Sequence, residues 1–333
     1  MQVSLRVSVI IPVYNDSKNL KKCLESIFIS KCKNFEVIVS DDGSSDNSYE
    51  VATQFPYKII RLMKNKGAAT ARNIGAKHAT GDILYFVDSD TVQGEDTIEN
   101  IIRHYEENKN IDIICGYWAK DSLKKGAFPE FIGLKHFYLM ILAKMRNKNN
   151  HSCSIINPSS FAIKKSVFEE IGGFNQKYHS SVGEDYELSQ RISEKGYNVY
   201  SFKDMCIKHH FKEIIPTFRL IFQRTSVWIT LFIKKKRFEK WGNATKSEAV
   251  TTMVVFFATL SFILGFISIY YLFLSCLLLV VLSLRNFAFY FVFIPKEKGA
   301  TFIFPAILFD YLLYLCVGLG ALYGLAKKIK ELK

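Results

Sequence analysis

Few of the features that mark disulfide-rich or zinc-binding proteins are present in this sequence. The seven cysteines are odd in number, are scattered along the chain, and never form a Cys-x-x-Cys pair. This arrangement argues against a disulfide framework and a zinc finger, and it suits a reducing compartment. The first residues also lack the apolar core of a secretory signal peptide, so we expect the soluble part of the chain to lie in the cytoplasm.

Internal repeats and low-complexity segments are missing as well. Of the 333 residues, 49% are hydrophobic, 14% are aromatic and 23% are charged, which excludes a disordered chain. Lys and Arg outnumber Asp and Glu by 44 to 31, which gives a net charge of +13. The apolar excess is concentrated after about residue 250. The sequence therefore predicts a soluble domain followed by a membrane region.

The first 210 residues alternate between short apolar runs and helical repeats. Apolar runs rich in β-branched residues predict buried parallel strands. These strands are predicted at Val7–Ile11, Phe35–Val39, Lys58–Leu62, Ile83–Val87, Ile111–Tyr117, Ser159–Ile163 and Val199–Phe202. Helices are predicted after Asp16, from Gly67 and from Gly183, whereas residues 120–152 predict a loop or a helical excursion. The alternation predicts an α/β fold with a mostly parallel sheet and helices on both faces.

Three predicted strands end in polar residues, and the carboxyl ends of parallel strands meet at one edge of a sheet. These ends are Pro12-Val13-Tyr14-Asn15, Asp41-Asp42 and Asp88-Ser89-Asp90. A single Asp after a strand is more often a turn or a helix cap, but three such ends at one edge predict a ligand site. Two carboxylates one residue apart suit Mg²⁺ or Mn²⁺ bridging a diphosphate.

Further candidates surround this edge. A base can stack on Tyr14, and Gly67 begins a helix whose N–H groups can approach a phosphate. Arg72 lies on that helix, with a solvated surface arginine as the alternative. The pair Glu184-Asp185 is either a helix cap or the source of a general base for transfer to a hydroxyl group. The pair His209-His210 offers a metal ligand or a phosphate contact, with surface histidines as the alternative.

In their order along residues 5–210, these blocks resemble glycosyltransferase family 2, whose members are inverting nucleotide-sugar enzymes with a GT-A fold. The matching blocks are Val7–Asn15, Val37–Asp46, Gly67–Gly75, Gly81–Asp90 and Ile171–Phe174 followed by Gly183–Leu188. A QxxRW block, found in the processive synthases of the family, is altered here to Gln223-Arg224-Thr225-Ser226-Val227-Trp228. Because the Arg directly follows the Gln and no Arg directly precedes the Trp, we expect transfer of a single sugar rather than long-chain polymerisation.

The resemblance implies a role for each matching position. Nucleotide-sugar binding is expected of Pro12, Tyr14, Asp16, Asp42, Gly67, Arg72, Asp88 and Ser89. Asp90 would be the main ligand of Mg²⁺ or Mn²⁺, assisted by Asp88 and by His209 or His210. Asp185 would be the general base, and Glu184 would help to place the acceptor.

Basic residues interleave with apolar and aromatic ones between 203 and 246. A nucleic-acid surface is the alternative, but the apolar segments that follow favour an amphipathic helix on an anionic leaflet, with the catalytic domain cytoplasmic. We therefore predict a GT-A domain at 1–212, a juxtamembrane segment at 213–247 and a multi-pass membrane region at 248–333. No nucleic-acid partner is expected.

The membrane region divides into several predicted spans. Val250–Leu282 is too long for one upright span and predicts two that turn near Ser268–Tyr271. Thr301–Leu325 predicts another span, interrupted by Pro305. The basic tail at 327–330 predicts a cytoplasmic end, whereas three spans from a cytoplasmic start would put it outside. The number of spans therefore stays open.

The sequence favours a membrane-anchored inverting glycosyltransferase that moves a sugar from a nucleoside diphosphate to a hydroxyl group of a lipid-linked or cell-surface glycan. One alternative is a nucleotidyltransferase, although the Gly- and Arg/Lys-rich loop such enzymes carry after the first strand is replaced here by Pro12-Val13-Tyr14-Asn15. The other alternative is a non-catalytic membrane scaffold, against which the intact acidic pairs argue.

Overall fold

The chain divides into two compact units, seen in a computed structural model that describes residues 5–146, 156–178, 183–235 and 245–332. The described residues of the first unit lie within Met1–Leu123 and Met140–His210, and those of the second within Lys124–Leu139 and Phe211–Lys333. Residues 147–152 of the predicted loop or helical excursion and residues 236–244 of the predicted juxtamembrane segment lie outside the described residues.

The first unit contains an eight-stranded mixed sheet. Its strands are β1 (Val7–Val13), β2 (Phe35–Asp41), β3 (Lys58–Arg61), β4 (Ile83–Val87), β5 (Thr91–Val92), β6 (Ile113–Trp118), β7 (Ser160–Lys164) and β8 (Val199–His209). Their order across the sheet is β3-β2-β1-β4-β7-β6-β8-β5. β7 is antiparallel to β4 and β6, β5 is antiparallel to β8, and the other pairs are parallel. The predicted α/β fold with a mostly parallel sheet is confirmed.

Helices cover both faces of this sheet. They are α1 (Ser17–Phe28), α2 (Ser48–Ala52), α3 (Ala68–Lys77), α4 (Thr97–Glu107), α6 (Lys165–Glu170) and α7 (Glu184–Lys195), and α5 (Ala127–Arg146) is shared between the units. All seven residues of β1 are buried. Val9 and Ile11 pack in a core cluster with α1 and α4, whereas Ile10 packs in a second cluster with α3, α6 and α7. Burial on both faces explains the continuous apolar run of β1.

The last strand is longer than predicted. β8 continues past Phe202 to His209, after an irregularity in its pairing with β6 between Cys115 and Tyr117. Met205 and Ile207 are buried and alternate with more exposed residues, which is typical of a strand with one covered face. His209 is therefore the end of a strand rather than part of the segment that follows one.

The second unit is helical. Its elements are the first half of α5, α8 (Ile214–Lys235), α9 (Lys246–Leu264), α10 (Ile269–Arg285), a π-helical segment (Ala288–Phe293), α11 (Ile294–Lys298), a 3₁₀ turn (Ala300–Phe302) and α12 (Ile303–Leu332). Among the described residues, Lys246–Leu264 and Ala300–Lys330 are long and apolar enough to cross a membrane. A third span results if α10 and Ala288–Lys298, which are bent by 64°, count as one.

The structure differs from the predicted spans in two details. The turn within the first apolar segment lies between Leu264 and Ile269, slightly before the predicted position. Pro305 does not interrupt the last segment, because it lies in the first turn of α12. A proline is tolerated there since N–H groups of the first turn have no partner within the helix.

Candidate functional site

Asn15 joins the loops that follow β1 and β2. Its Oδ1 accepts hydrogen bonds from the backbone N–H groups of Ser45 (2.8 Å) and Asp46 (3.3 Å), and its own N–H donates to Ser44 Oγ (3.0 Å). Asn15 adopts a positive φ of 51°, which asparagine tolerates better than most residues. The neighbouring Tyr14 is 48% exposed, so its ring is accessible for the predicted stacking on a base. Pro12, by contrast, is buried within β1.

The carboxylate of Asp42 binds the backbone of the loop that precedes α3. Its Oδ1 accepts the backbone N–H of Lys66 (2.8 Å), and its Oδ2 accepts that of Gly67 (2.7 Å). Burial raises the pKa of Asp42 despite the opposing effect of these two N–H groups. The Gly67 N–H, which we expected to face a phosphate, therefore donates to a carboxylate of the chain itself. The predicted contact between Asp42 and the nucleoside stays a prediction.

Arg72 connects two carboxylates from distant parts of the chain. Its Nη2 lies 2.7 Å from Asp88 Oδ1, and its Nη1 lies 3.3 Å from Glu184 Oε1. The side chain is only 4% exposed, and its guanidinium carbon lies 5.2 Å from the centre of the Phe174 ring. Burial alone would lower the pKa of Arg72, but the charges of Asp88 and Glu184 outweigh it and raise the pKa. The structure thus excludes a solvated surface arginine.

Asp88 is held from two sides. Arg72 bonds to Oδ1, and the Ser159 hydroxyl donates to Oδ2 at 2.7 Å. Burial alone would raise the pKa of Asp88, but the charge of Arg72 outweighs it and lowers the pKa, which favours the ionised carboxylate. Ser159 was not predicted. It reaches Asp88 because β7, which starts at the next residue, pairs with the end of β4.

The short strand β5 brings His209 to the acidic pair. β5 directly follows Asp90 and places Thr91 opposite His209 at the end of β8. His209 Nε2 lies 3.4 Å from Asp90 Oδ1, and ligand atoms of Asp88, Asp90 and His209 lie within 4.8 Å of one another. Carboxylate oxygens are the ligands that Mg²⁺ and Mn²⁺ prefer, and an imidazole can complete such a set. The three residues fit a divalent cation.

His210 lies outside this cluster in the described part of the chain. Its backbone N–H donates to the Asp90 carbonyl at 2.9 Å.

Ser89, between the two acidic residues, donates its hydroxyl to Asp16 Oδ2 at 2.9 Å and so links the acidic pair to the loop after β1. Burial raises the pKa of Asp16, and the nearby charge of Asp90 adds to this effect.

Glu184 and Asp185 begin α7, directly after Gly183 with a φ of +96°. Both residues are buried, at 1% and 6% exposure. Glu184 bonds to Arg72, whereas Asp185 Oδ1 accepts the backbone N–H of Tyr186 at 2.9 Å. Through Arg72, the start of α7 is therefore fixed next to Asp88, and Asp185 follows one residue later.

Comparisons with known proteins agree with this arrangement. The model of glycosyl transferase family 2 matches residues 8–172, and the model of the N-terminal domain of galactosyltransferase matches residues 147–214. The glycosyltransferase GlyG of Streptococcus pneumoniae is 30% identical over 212 residues, which are 59% of this chain and 70% of that protein. A glycosyltransferase of Haemophilus influenzae is 31% identical over 63% of this chain and 71% of its own.

Solved structures show the same fold at low sequence identity. The mannosyltransferase PcManGT of Pyrobaculum calidifontis, solved with GDP-Man and Mn²⁺, has a TM-score of 0.55 at 18% identity, over 93% of this chain and 88% of its own. TarS of S. aureus, residues 1–349, has a TM-score of 0.50 at 15% identity, over 96% of this chain and 92% of its own. Sheet order, motif order and relatives lead to one conclusion: the chain belongs to glycosyltransferase family 2 and has a GT-A fold.

Proposed function

We propose that this chain is a membrane-anchored, metal-dependent inverting glycosyltransferase that moves one sugar from a nucleoside diphosphate to a hydroxyl group of a lipid-linked or glycan acceptor. One observation carries the proposal: Arg72 forms ion pairs with Asp88, which lies in the cluster with Asp90 and His209, and with Glu184 at the start of α7. These ion pairs support a site in which the proposed donor-binding residues lie near the proposed base, although the two are far apart in the sequence.

The donor half of the site consists of the acidic cluster and the two loops beside it. Asp88, Asp90 and His209 would hold Mg²⁺ or Mn²⁺, which when bound neutralises charge on the diphosphate. The exposed Tyr14 ring supports stacking on the base. A hydrogen bond from Ser89 to Asp16 connects the acidic cluster to the loop after β1. The ribose and the diphosphate would bind at this connection.

Asp185 is the proposed base, because Glu184 already bonds to Arg72. Asp185 takes the proton of the acceptor hydroxyl, and the oxygen forms a bond to the anomeric carbon from the side opposite the diphosphate. The bond from that carbon to the diphosphate oxygen breaks, and its electrons leave with the nucleoside diphosphate. Glu184 acts as a positioning residue. The anomeric configuration inverts in this single displacement.

The apolar helices bear on which acceptor the enzyme uses, and the altered QxxRW block bears on how many sugars it adds. Two helices of the second unit are long and apolar enough to cross a membrane, which supports an acceptor that is presented at a lipid surface. The segment that replaces the processive block, Gln223–Trp228, lies within α8, and Val227 rather than an Arg directly precedes its Trp. We therefore propose the addition of one sugar per acceptor.

The first test is a thermal-shift screen of the full chain with UDP, GDP, dTDP and their sugars, with and without Mn²⁺ or Mg²⁺. We expect one nucleoside diphosphate to stabilise the protein only when the metal is present. The matching donor is then used in a transfer assay with lipid-linked acceptors, and NMR of the product reports the anomeric configuration. A product with retained configuration would contradict the role of Asp185.

Matched variants separate chemistry from folding. Asp185→Asn is expected to abolish transfer, whereas Glu194→Gln, an exposed carboxylate on the same helix, is expected to leave it nearly unchanged. Release of pyrophosphate from a nucleoside triphosphate and a sugar phosphate would favour a nucleotidyltransferase instead. Absence of any metal-dependent nucleotide binding would favour a non-catalytic scaffold.

A further inference from the structure

We propose that the turn at 171–174 fixes the orientation of α7, and that Asn73 and Arg191 act through this turn as positioning residues for the base Asp185. The turn follows α6 directly, and side chains of both α3 and α7 bind its backbone. The inference rests on the proposed function, because a base needs positioning only if the chain transfers a sugar.

Asn73, on α3, binds the last residue of the turn through both ends of its amide group. Its Oδ1 accepts the backbone N–H of Phe174 at 2.9 Å, and its Nδ2 donates to the carbonyl oxygen of the same residue at 2.8 Å. Gly173 permits this approach, because a Cβ there would lie 2.7 Å from Asn73 Oδ1. The φ of Gly173 is +66°, which also favours glycine. The backbone of Phe174 is therefore bonded to α3 through both its donor and its acceptor.

Arg191 binds the same turn from α7. Its Nη1 donates to the carbonyl oxygen of Ile171 at 2.5 Å, and its Nη2 donates to that of Gly173 at 2.7 Å. Glu187, four residues earlier on α7, accepts hydrogen bonds from Nε at 2.9 Å and from Nη2 at 2.7 Å. This two-point contact with a carboxylate orients the guanidinium group toward the turn. The turn is therefore bonded to α7 as well as to α3.

α3 is a firm support for these contacts. A Cβ at Gly75 would lie 2.5 Å from Ile10 Cγ2, so the helix that carries Asn73 packs directly against β1. The ring of Phe174 is buried in the core cluster that contains Ile10, and its centre lies 5.2 Å from the guanidinium carbon of Arg72. The turn is thus anchored to the sheet by its side chain and to α3 by its backbone.

Two routes connect α3 to α7. The first is direct and consists of the ion pair between Arg72 and Glu184. The second runs from Asn73 through the turn to Arg191, seven residues after Glu184. Two contacts about 10 Å apart along the helix axis restrict the tilt of α7 more than either contact alone. Asp185 lies beside Glu184, so its position follows the tilt of this helix.

Loss of the second route should therefore affect the rate of transfer more than the binding of the donor. The proposed metal ligands Asp88, Asp90 and His209 come from the ends of β4 and β8 and not from the turn. A tilt of α7 would move Asp185 away from the acceptor hydroxyl while this cluster stays in place. A misplacement of about 1 Å can lower a rate by about 100-fold.

Single and double variants of the full chain test the inference. Asn73→Ala removes both hydrogen bonds to Phe174, and Arg191→Met keeps the side chain long but removes its donors. Arg191→Lys keeps a charge and a donor without the two-pronged geometry. Lys195→Met is the matched control, because Lys195 also lies on α7 and donates to a backbone carbonyl, that of Glu170 before the turn, at 3.1 Å.

We expect Asn73→Ala and Arg191→Met each to lower kcat by about 10- to 100-fold, with the Kd of the nucleoside diphosphate in Mn²⁺ changed by less than about threefold. Arg191→Lys should lie between Arg191→Met and the wild type, and Lys195→Met should keep the wild-type kcat. The double variant should be little slower than the slower single variant, because both residues act through one turn. Independent, additive losses in kcat would contradict this shared route.

Hydrogen exchange distinguishes this inference from the proposed function. The backbone N–H of Glu187 donates to the Gly183 carbonyl at 3.0 Å in the first turn of α7. Peptides that cover this turn should exchange about 10-fold faster in Asn73→Ala and Arg191→Met, whereas peptides of β1 should not change. Unchanged exchange in both variants would overturn the inference, and so would faster exchange with a wild-type kcat. A wild type that transfers no sugar would refute the proposed function, while the exchange data would still decide whether the turn fixes α7.

Discussion

Arg72 is the residue on which the geometry of the site depends most. It is buried and forms ion pairs with Asp88 and Glu184, so removal of its guanidinium group leaves both carboxylates without this positive partner. Removal of one member of a buried ion pair commonly costs about 3 to 5 kcal/mol. The position of α7 relative to the acidic cluster depends on the same contacts.

We predict that Arg72→Met, which keeps the side chain long but removes its charge, lowers the free energy of unfolding by about 3 kcal/mol. Transfer should fall at least about 100-fold, because Asp185 loses its fixed position. Arg72→Lys keeps the charge without the two-pronged geometry and should lie between Met and wild type. Denaturant titration and initial rates measure both effects. A Met variant with wild-type stability and rate would contradict this role.

The two adjacent histidines differ in position. His209 belongs to the cluster with Asp88 and Asp90, whereas His210 contributes its backbone N–H to the Asp90 carbonyl. We predict that His209→Ala weakens Mn²⁺ binding by about 10- to 100-fold and that His210→Ala changes it by less than about threefold. Calorimetric titration with Mn²⁺ compares them directly. The reverse ranking would show that the ion binds elsewhere.

Sequence reasoning identified most residues of the cluster because strand-end carboxylates follow a known rule for open sheets. It left open which histidine lies beside Asp88 and Asp90, since that depends on Thr91 pairing with His209. No sequence pattern indicated that Ser159 contacts Asp88. A serine before a strand is common, and its contact with Asp88 exists only because β7 lies beside β4.

At the scale of elements, the contact between α8 and α12 depends on glycine. A Cβ at Gly324 would lie 2.4 Å from Ile229 Cγ2 and 2.5 Å from the Ser226 carbonyl oxygen, whereas one at Gly318 would meet only Thr252 Cγ2 at 3.5 Å. We predict that Gly324→Ala destabilises the protein by about 1 to 3 kcal/mol through overpacking. Gly318→Ala, the control on the same helix, should be neutral or stabilising by up to about 1 kcal/mol. Thermal unfolding in detergent checks the pair, and equal effects would contradict the close packing.

Glu36 joins β2 to the loop before β4. Its Oε1 accepts hydrogen bonds from Ser8 Oγ (2.6 Å) and from the backbone and hydroxyl of Thr80 (2.6 and 2.7 Å). Burial alone would raise the pKa of Glu36, but these hydrogen bonds outweigh it and lower the pKa. A lowered folded-state pKa stabilises the fold above the pKa of an unfolded glutamate. This stabilisation is lost as the pH falls through the folded-state pKa.

We therefore predict that Glu36→Gln makes stability less dependent on pH below the ordinary pKa of glutamate, about 4.3. Glu25→Gln, an exposed position on α1, should keep the wild-type pH dependence. Urea midpoints measured across acidic pH give the two slopes. An unchanged slope in the Glu36 variant would refute the contribution of these hydrogen bonds.

Most elements of the first unit could be predicted because their apolar periodicity is strong. The exceptions have physical reasons. α4 carries its apolar residues at helical spacing but lies between turns that obscured it, and β8 is irregular near its middle. The region of α5 was expected to be a loop or a helical excursion, and the first part of this helix belongs to the second unit. That membership follows from packing, such as Phe128 and Phe131 against Phe309, which no local pattern encodes.

At the scale of the whole molecule, the chain combines a GT-A unit with a helical unit suited to a membrane. The second unit begins again at Phe211 but also includes Lys124–Leu139. The domain bounds at 1–212, 213–247 and 248–333 stay a prediction. Charge patterning predicted a cytoplasmic tail but left the number of spans open. The directions in which α8, α9 and α12 run relative to one another follow from their packing, which no local sequence pattern encodes.

The central claim is that the acidic cluster binds the donor and that Asp185 takes the proton. The most direct measurement titrates the wild type, Asp90→Asn and Asp185→Asn with the preferred nucleoside diphosphate and Mn²⁺, and measures transfer with the same samples. We predict that Asp90→Asn loses metal-dependent binding by about 100-fold, together with transfer. Asp185→Asn should bind the nucleotide like the wild type while transfer falls by about 100- to 10,000-fold. Wild-type binding in Asp90→Asn, or near-normal transfer in Asp185→Asn, would contradict the claim.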